Sequence, residues 1–210
     1  MNRVVRTLAV LCAGLLATSL VVPTAGATTS RRELSPKVSI TGGKLPQLNP
    51  DTVGTSGDSA IGKTAPTLTG QGFKGEPVTF ANDGKARIVL FIAHWCPHCQ
   101  YEVPVIVKLA KKGKLSGVEI DTVTTNTSKD APNYPPSKWL KREHWPFKPV
   151  LADDAKLRAF LGFGGATFPY LVFVSADGTV AARVTGELSP SVVAEAARRL
   201  VAGLSLFGKK

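Results

Sequence analysis

Only three of the 210 residues are cysteine, and one of them, Cys12, lies in an apolar N-terminal stretch. Past that stretch a single pair remains, Cys96 and Cys99. A network of disulfides of the kind that staples small secreted domains is therefore excluded. Histidine is equally scarce, at positions 94, 98 and 144, so any metal site would have to be built around one cluster. Acidic residues number 15 against 26 lysines and arginines, a formal charge of +11. The basic residues are dispersed apart from short pairs such as Lys111-Lys112 and Arg198-Arg199, and no aromatic-basic motif accompanies them. Nucleic acid is not an expected partner. No apolar run reaches a comfortable membrane span, the best being residues 7–22, and no internal repeat is found. What is present is ordinary for a globular chain, 43% hydrophobic and 20% charged residues, with length for one domain plus a leader and a linker.

The leader reads as a signal peptide over residues 1–27: Arg3 and Arg6, the apolar 7–22, then Ala25-Gly26-Ala27 with cleavage expected after Ala27. The competing expectation is an uncleaved N-terminal anchor, the only case in which the chain would contact a membrane. Both place the remainder outside the cytoplasm, secreted, periplasmic or associated with the cell envelope. Cys12 follows Ala9-Val10-Leu11 without the small residue that precedes a lipidated cysteine, so it is a leader residue. Residues 28–62 are rich in Thr, Ser, Gly, Pro, Lys and Asp and show no periodicity. They predict a flexible linker, with the folded domain over residues 63–207.

In that domain, Pro77-Val78-Thr79-Phe80 and the apolar run of residues 87–93 predict strands, the second buried on both faces. Residues 101–115 carry Val103, Ile106, Val107 and Ala110 at helical spacing, and Pro104 is expected to kink that helix. A strand over 118–125, a helix over 137–145, an extended piece at 149–151 and a helix capped by Asp153 or Asp154 and ending near Leu161 follow. Strands over 170–175 and 179–185 meet at Ala176-Asp177-Gly178, a hairpin signal. Ser189-Pro190 opens a last amphipathic helix. The pattern predicts an α/β fold, a central mixed sheet flanked by helices with an N-terminal extension.

Cys96-Pro97-His98-Cys99 follows the buried strand and opens a helix. The unpaired N–H groups and partial positive charge of a helix start favour an anion there, which suits a thiol that reacts as its thiolate. A Cys96–Cys99 disulfide would close too small a ring to stabilise the chain much, so the pair points to reactivity. Cys96 is expected to attack and the more buried Cys99 to resolve the mixed disulfide. His98 can donate to, or place positive charge near, the Cys96 thiolate and favour the dithiol. Glu102, one turn beyond Cys99, reads either as a carboxylate that moves protons at the site or as a solvated helix residue.

The segment Phe91-Ile92-Ala93-His94-Trp95-Cys96-Pro97-His98-Cys99-Gln100-Tyr101-Glu102-Val103-Pro104 resembles the active-site region of thioredoxins. Its Cys-x-x-Cys-x-x-Glu-x-Pro spacing is most similar to the TlpA/ResA branch of exported thioredoxin-like proteins. Gly62-Lys63-Thr64-Ala65-Pro66, Trp139-Leu140, Pro149-Val150-Leu151-Ala152-Asp153 and Phe168-Pro169 extend the resemblance over about residues 60–205. It implies a thioredoxin fold and a thiol:disulfide oxidoreductase acting on protein thiols or disulfides, with no cofactor or metal. It also implies a cis-proline at Pro169 beside the cysteines, where a trans proline at a strand start is the plainer reading. Trp95, Pro97, Phe168 and Pro169 would contact substrate. His94 and Phe168 depart from the pattern: relatives usually carry a small or hydroxyl residue at the first position and Thr, Val or Ile at the second.

Direction of electron flow is open at this level. The TlpA/ResA-like layout with Glu102 implies a reductase recharged by a membrane redox partner, whereas the Pro97-His98 dipeptide resembles that of the thiol oxidase DsbA. A different class is a copper or zinc carrier using His94, Cys96, His98 and Cys99.

Overall fold

The computed structural model describes residues 37–207. The leader assigned to residues 1–27 lies outside them. Eight strands and four α-helices follow in the order β1 (Ser39–Thr41), β2 (Thr67–Gln71), β3 (Pro77–Phe80), β4 (Arg87–Ile92), α1 (Pro97–Lys111), β5 (Glu119–Thr124), α2 (Pro136–Arg142), β6 (Val150–Ala152), α3 (Arg158–Gly162), β7 (Tyr170–Val174), β8 (Val180–Thr185) and α4 (Pro190–Val201). One mixed sheet holds all the strands in the order β1-β2-β6-β5-β4-β7-β8, with β3 paired to β2. β5 runs parallel to β4 and to β6. β7 is antiparallel to both β4 and β8.

β4 is buried along its whole length. Because side chains alternate across a strand, Ile88, Leu90 and Ile92 face one core with Val103 and Ile106 of α1, Trp139 and Leu140 of α2, and Val193, Ala197 and Leu200 of α4. Val89 and Phe91 face a second core with Val123, Tyr170, Val172, Phe160 and Phe163. The continuous apolar run thus reflects a strand covered on both sides.

Residues 37–62 correct the expected linker. Val38, Leu45, Leu48 and Ala60 are buried in the second core, β1 pairs with β2, and the amides of Leu45 and Leu48 donate to the carbonyls of Gly162 and Gly164, each at 2.9 Å. Asp58 accepts from Nε of the fully buried Arg183 at 2.7 Å. The segment carries too few apolar residues for a periodic pattern, yet these four are buried, and Ile40 and Val53 pack half-buried against the same core. The folded body therefore begins well before residue 63.

One helix also differs from its expected form. α3 is a single short turn: Leu157, in the left-handed region at φ 53, separates it from Asp153 and Asp154. Asp153 nevertheless caps it at a distance, its carboxylate accepting the amides of Ala159 at 2.9 Å and Phe160 at 3.1 Å. α1 continues through Pro104 to Lys111. The hairpin between β7 and β8 turns at Gly178, φ 84, with Asp177 accepting the Thr179 amide.

Candidate active site

β4 ends at Ile92, and the chain turns through Ala93, His94 and Trp95 to place Cys96 as N-cap of α1. Cys96 has 6% of its surface exposed and Cys99 none, and both are free thiols. Cys96 is thus the more exposed of the two. Its Sγ lies 3.7 Å from the carbonyl oxygen of Phe168, and the Phe168–Pro169 peptide bond is cis. The Ala93 amide donates to Cys99 Sγ at 3.4 Å. Burial pushes the Cys99 thiol far above its ordinary range despite that hydrogen bond, and the charges of Cys96 and Glu102 add to the rise.

Glu102 is completely buried, which decides between its two sequence readings: it is not a solvated helix residue. Its Oε2 accepts the backbone N–H of Leu188 at 3.1 Å, and its Oε1 has no partner. Burial raises its pKa from 4.5 to about 7; the Leu188 amide opposes the rise and the negative charge of Glu187 adds to it. A carboxyl that exchanges a proton near neutrality thus sits beside the thiol that most resists deprotonation.

His98 is exposed, and its Nδ1 lies 2.7 Å from Oε1 of Glu187. It hydrogen-bonds that carboxylate rather than Cys96. An open pocket of about 560 Å³ lies beside the pair, lined by His98, Thr167, Phe168, Gly186 and Glu187. Pro97 is exposed at its edge of the motif and Pro169 is buried behind. Trp95 meets Phe168 edge to face, centroids 6.1 Å apart, and its indole N–H donates to the Asn126 carbonyl at 2.8 Å. Phe168 also packs on Phe160 at 4.5 Å.

His94 is buried and turned away from the thiols. Its Nδ1–H donates to the Pro132 carbonyl at 2.6 Å, and its Nε2 accepts the Ser128 amide at 3.2 Å. A carbonyl can only accept and an amide N–H only donate, so the two partners fix the tautomer. With both ring nitrogens spent and His98 directed at Glu187, the four residues of the metal-carrier reading do not converge. Among the described residues no group of three or more His, Cys, Asp or Glu could hold a metal ion.

Sequence reasoning did not find Glu187, 89 residues from His98. It follows a glycine at a strand end and carries no local pattern that would mark it. The loop residues that hold His94 and Trp95 were equally silent.

A thiol pair at the head of the helix that packs on the central strand of a mixed sheet defines a thiol:disulfide oxidoreductase of the thioredoxin fold. The chain belongs to the AhpC/TSA family, whose model matches residues 61–183. It is 30% identical over 162 residues to the thiol:disulfide interchange protein HelX of Rhodobacter capsulatus, covering 76% of this chain and 85% of the relative. It is also 30% identical to the thiol:disulfide interchange protein DsbE of Pseudomonas fluorescens, over 63% of this chain and 70% of that one. A thioredoxin-family thiol:disulfide interchange protein from Chlorobium tepidum superposes with a TM-score of 0.55 at 29% identity, covering 66% of this chain and 95% of its own. StoA from Bacillus subtilis shares the fold at a TM-score of 0.50 and 20% identity, over 60% of this chain and 92% of its own.

Proposed function

We propose that this chain reduces disulfides of proteins outside the cytoplasm through Cys96 and Cys99. The Cys96 thiolate attacks one sulfur of a substrate disulfide, forming a mixed disulfide and releasing the other substrate sulfur as a thiolate that takes up a proton. Cys99, deprotonated, then attacks Cys96 Sγ; the mixed disulfide breaks, the second substrate thiol leaves, and a Cys96–Cys99 disulfide remains. Two electrons and two protons pass to the substrate.

The observation that carries this reading is the buried Glu102, its carboxyl raised to about 7, beside a thiol that burial holds protonated. Resolution requires that Cys99 lose its proton in an apolar setting, and Glu102 can take it. Trp95, Pro97, Phe168 and Pro169 frame the approach to Cys96, and the backbone next to Pro169 suits an extended peptide. The leader motif supports export, and a membrane electron donor would return the disulfide to the dithiol. The names of the interchange relatives support exchange with thiols and disulfides but not its direction.

Equilibration with glutathione tests the direction. Thioredoxin-like pairs span about −270 to −120 mV. A value in the reducing half, with catalysed reduction of insulin, is expected. A value at the oxidising end, with oxidation of reduced unfolded proteins, would overturn the reductase assignment. N-terminal sequencing of the exported protein tests the leader: a start at residue 28 is expected.

A further inference from the structure

The loop after β8 reaches both titratable groups that flank the cysteines. Glu187 Oε1 takes the hydrogen bond of His98 Nδ1 at 2.7 Å, and the next residue, Leu188, donates its amide to Glu102 Oε2 at 3.1 Å. Glu187 and His98 are both substantially solvent-exposed, and exposed ion pairs contribute little to stability. Holding the fold together does not account for this pair.

We propose that Glu187 is a positioning residue for thiol exchange: it holds His98 away from Cys96, keeping the pair reducing in spite of the Pro97-His98 dipeptide. This rests on the reductase reading above. The potential of a Cys-x-x-Cys pair follows the stabilisation of the thiolate in its reduced form. His98, in the first turn of α1, is placed to supply that stabilisation, yet its Nδ1 is spent on Glu187. Since His98 and Glu187 also line the pocket beside Cys96, a docking substrate meets the pair directly.

The test is the glutathione equilibrium of the wild type, Glu187→Ala, His98→Ala and the double variant. Alanine removes the acceptor that holds His98 Nδ1. Glu187→Ala is expected to move the equilibrium about threefold to tenfold toward the dithiol, and His98→Ala to shrink that effect to less than half. An unmoved or opposite equilibrium overturns the proposal, as does an equal shift with and without His98, which would mean direct action on the thiols. Wild-type protein that exchanges with glutathione while Glu187→Ala behaves identically sinks this inference alone. A wild type that does not exchange at all sinks the enzymatic reading and the inference with it.

Discussion

Glu102 and Leu188 meet through one hydrogen bond: the Leu188 amide donates to Glu102 Oε2 at 3.1 Å, and nothing bonds the other carboxyl oxygen, which is buried. A carboxylate in this position is poorly compensated. Since Glu102 titrates near 7 in the folded protein against an ordinary 4.5, the native state binds more protons than the unfolded state between those values. Stability therefore falls as pH rises from about 4.5 through about 7. Glu102→Gln removes this slope and is expected to be the more stable protein above pH 7. Urea titrations of both at pH 5 and pH 8 check it; equal slopes would contradict the assigned burial effect.

The same substitution separates the two steps of exchange. Glu102→Gln is expected to leave formation of the mixed disulfide on Cys96 largely intact and to slow its resolution by Cys99 about tenfold to a hundredfold. Stopped-flow measurement of the two phases reads this directly. Slowing of the first phase alone would place Glu102 on the wrong thiol.

Cys99→Ser is expected to accumulate a covalent adduct between Cys96 and substrate, and Cys96→Ser to form none. Mass spectrometry after incubation with a disulfide-bonded protein distinguishes them. Adducts on Cys99 in the second variant would reverse the order inferred from their exposure.

Arg183 and Asp58 form a buried pair across 125 residues. Burial alone would raise the Asp58 pKa; the hydrogen bond and charge of Arg183 outweigh it and hold it below 3.8. The pair's contribution is thus present above about pH 3.8 and lost as pH falls through the lower folded value. Arg183→Ala leaves the carboxylate buried without its partner and is expected to cost about 3–5 kcal/mol, measured by denaturant unfolding at pH 7. A loss under about 1 kcal/mol would show that the segment around Asp58 detaches at little cost.

His94→Ala is expected to cost about 2 kcal/mol and to speed amide exchange at Ser128, because the ring's two hydrogen bonds are what tie residues 128 and 132 to the β4–α1 turn. Unchanged exchange at that amide would remove His94 from this role.

Much of this was legible in the sequence because it is local. The Asp177-Gly178 turn, the unbroken apolar β4 and the Ser189-Pro190 start of α4 each announce themselves within a few residues. Cys96-Pro97-His98-Cys99 does so through its place between strand and helix, and its spacing to Glu102 placed that carboxyl on the same helix. What the sequence withheld is non-local. β2 was missed because Thr67-Leu68-Thr69-Gly70-Gln71 is weakly patterned, its pairing supplied by β1 and β3. Residues 37–62 read as a linker because Val38, Leu45 and Leu48 are irregularly spaced, and their burial depends on a sheet face formed by residues far along the chain. Glu187 acquires its place only when the end of β8 is brought over the start of α1.

The strand that buries Arg183 is the strand whose end carries Glu187 and Leu188 to the active helix. Asp58 is thereby tied, through Arg183, to the strand from which both contacts with α1 extend. Trimming the protein back to the family-matched region from residue 61 would keep every residue of the motif while stripping the buried Arg183 of its ion-pair partner.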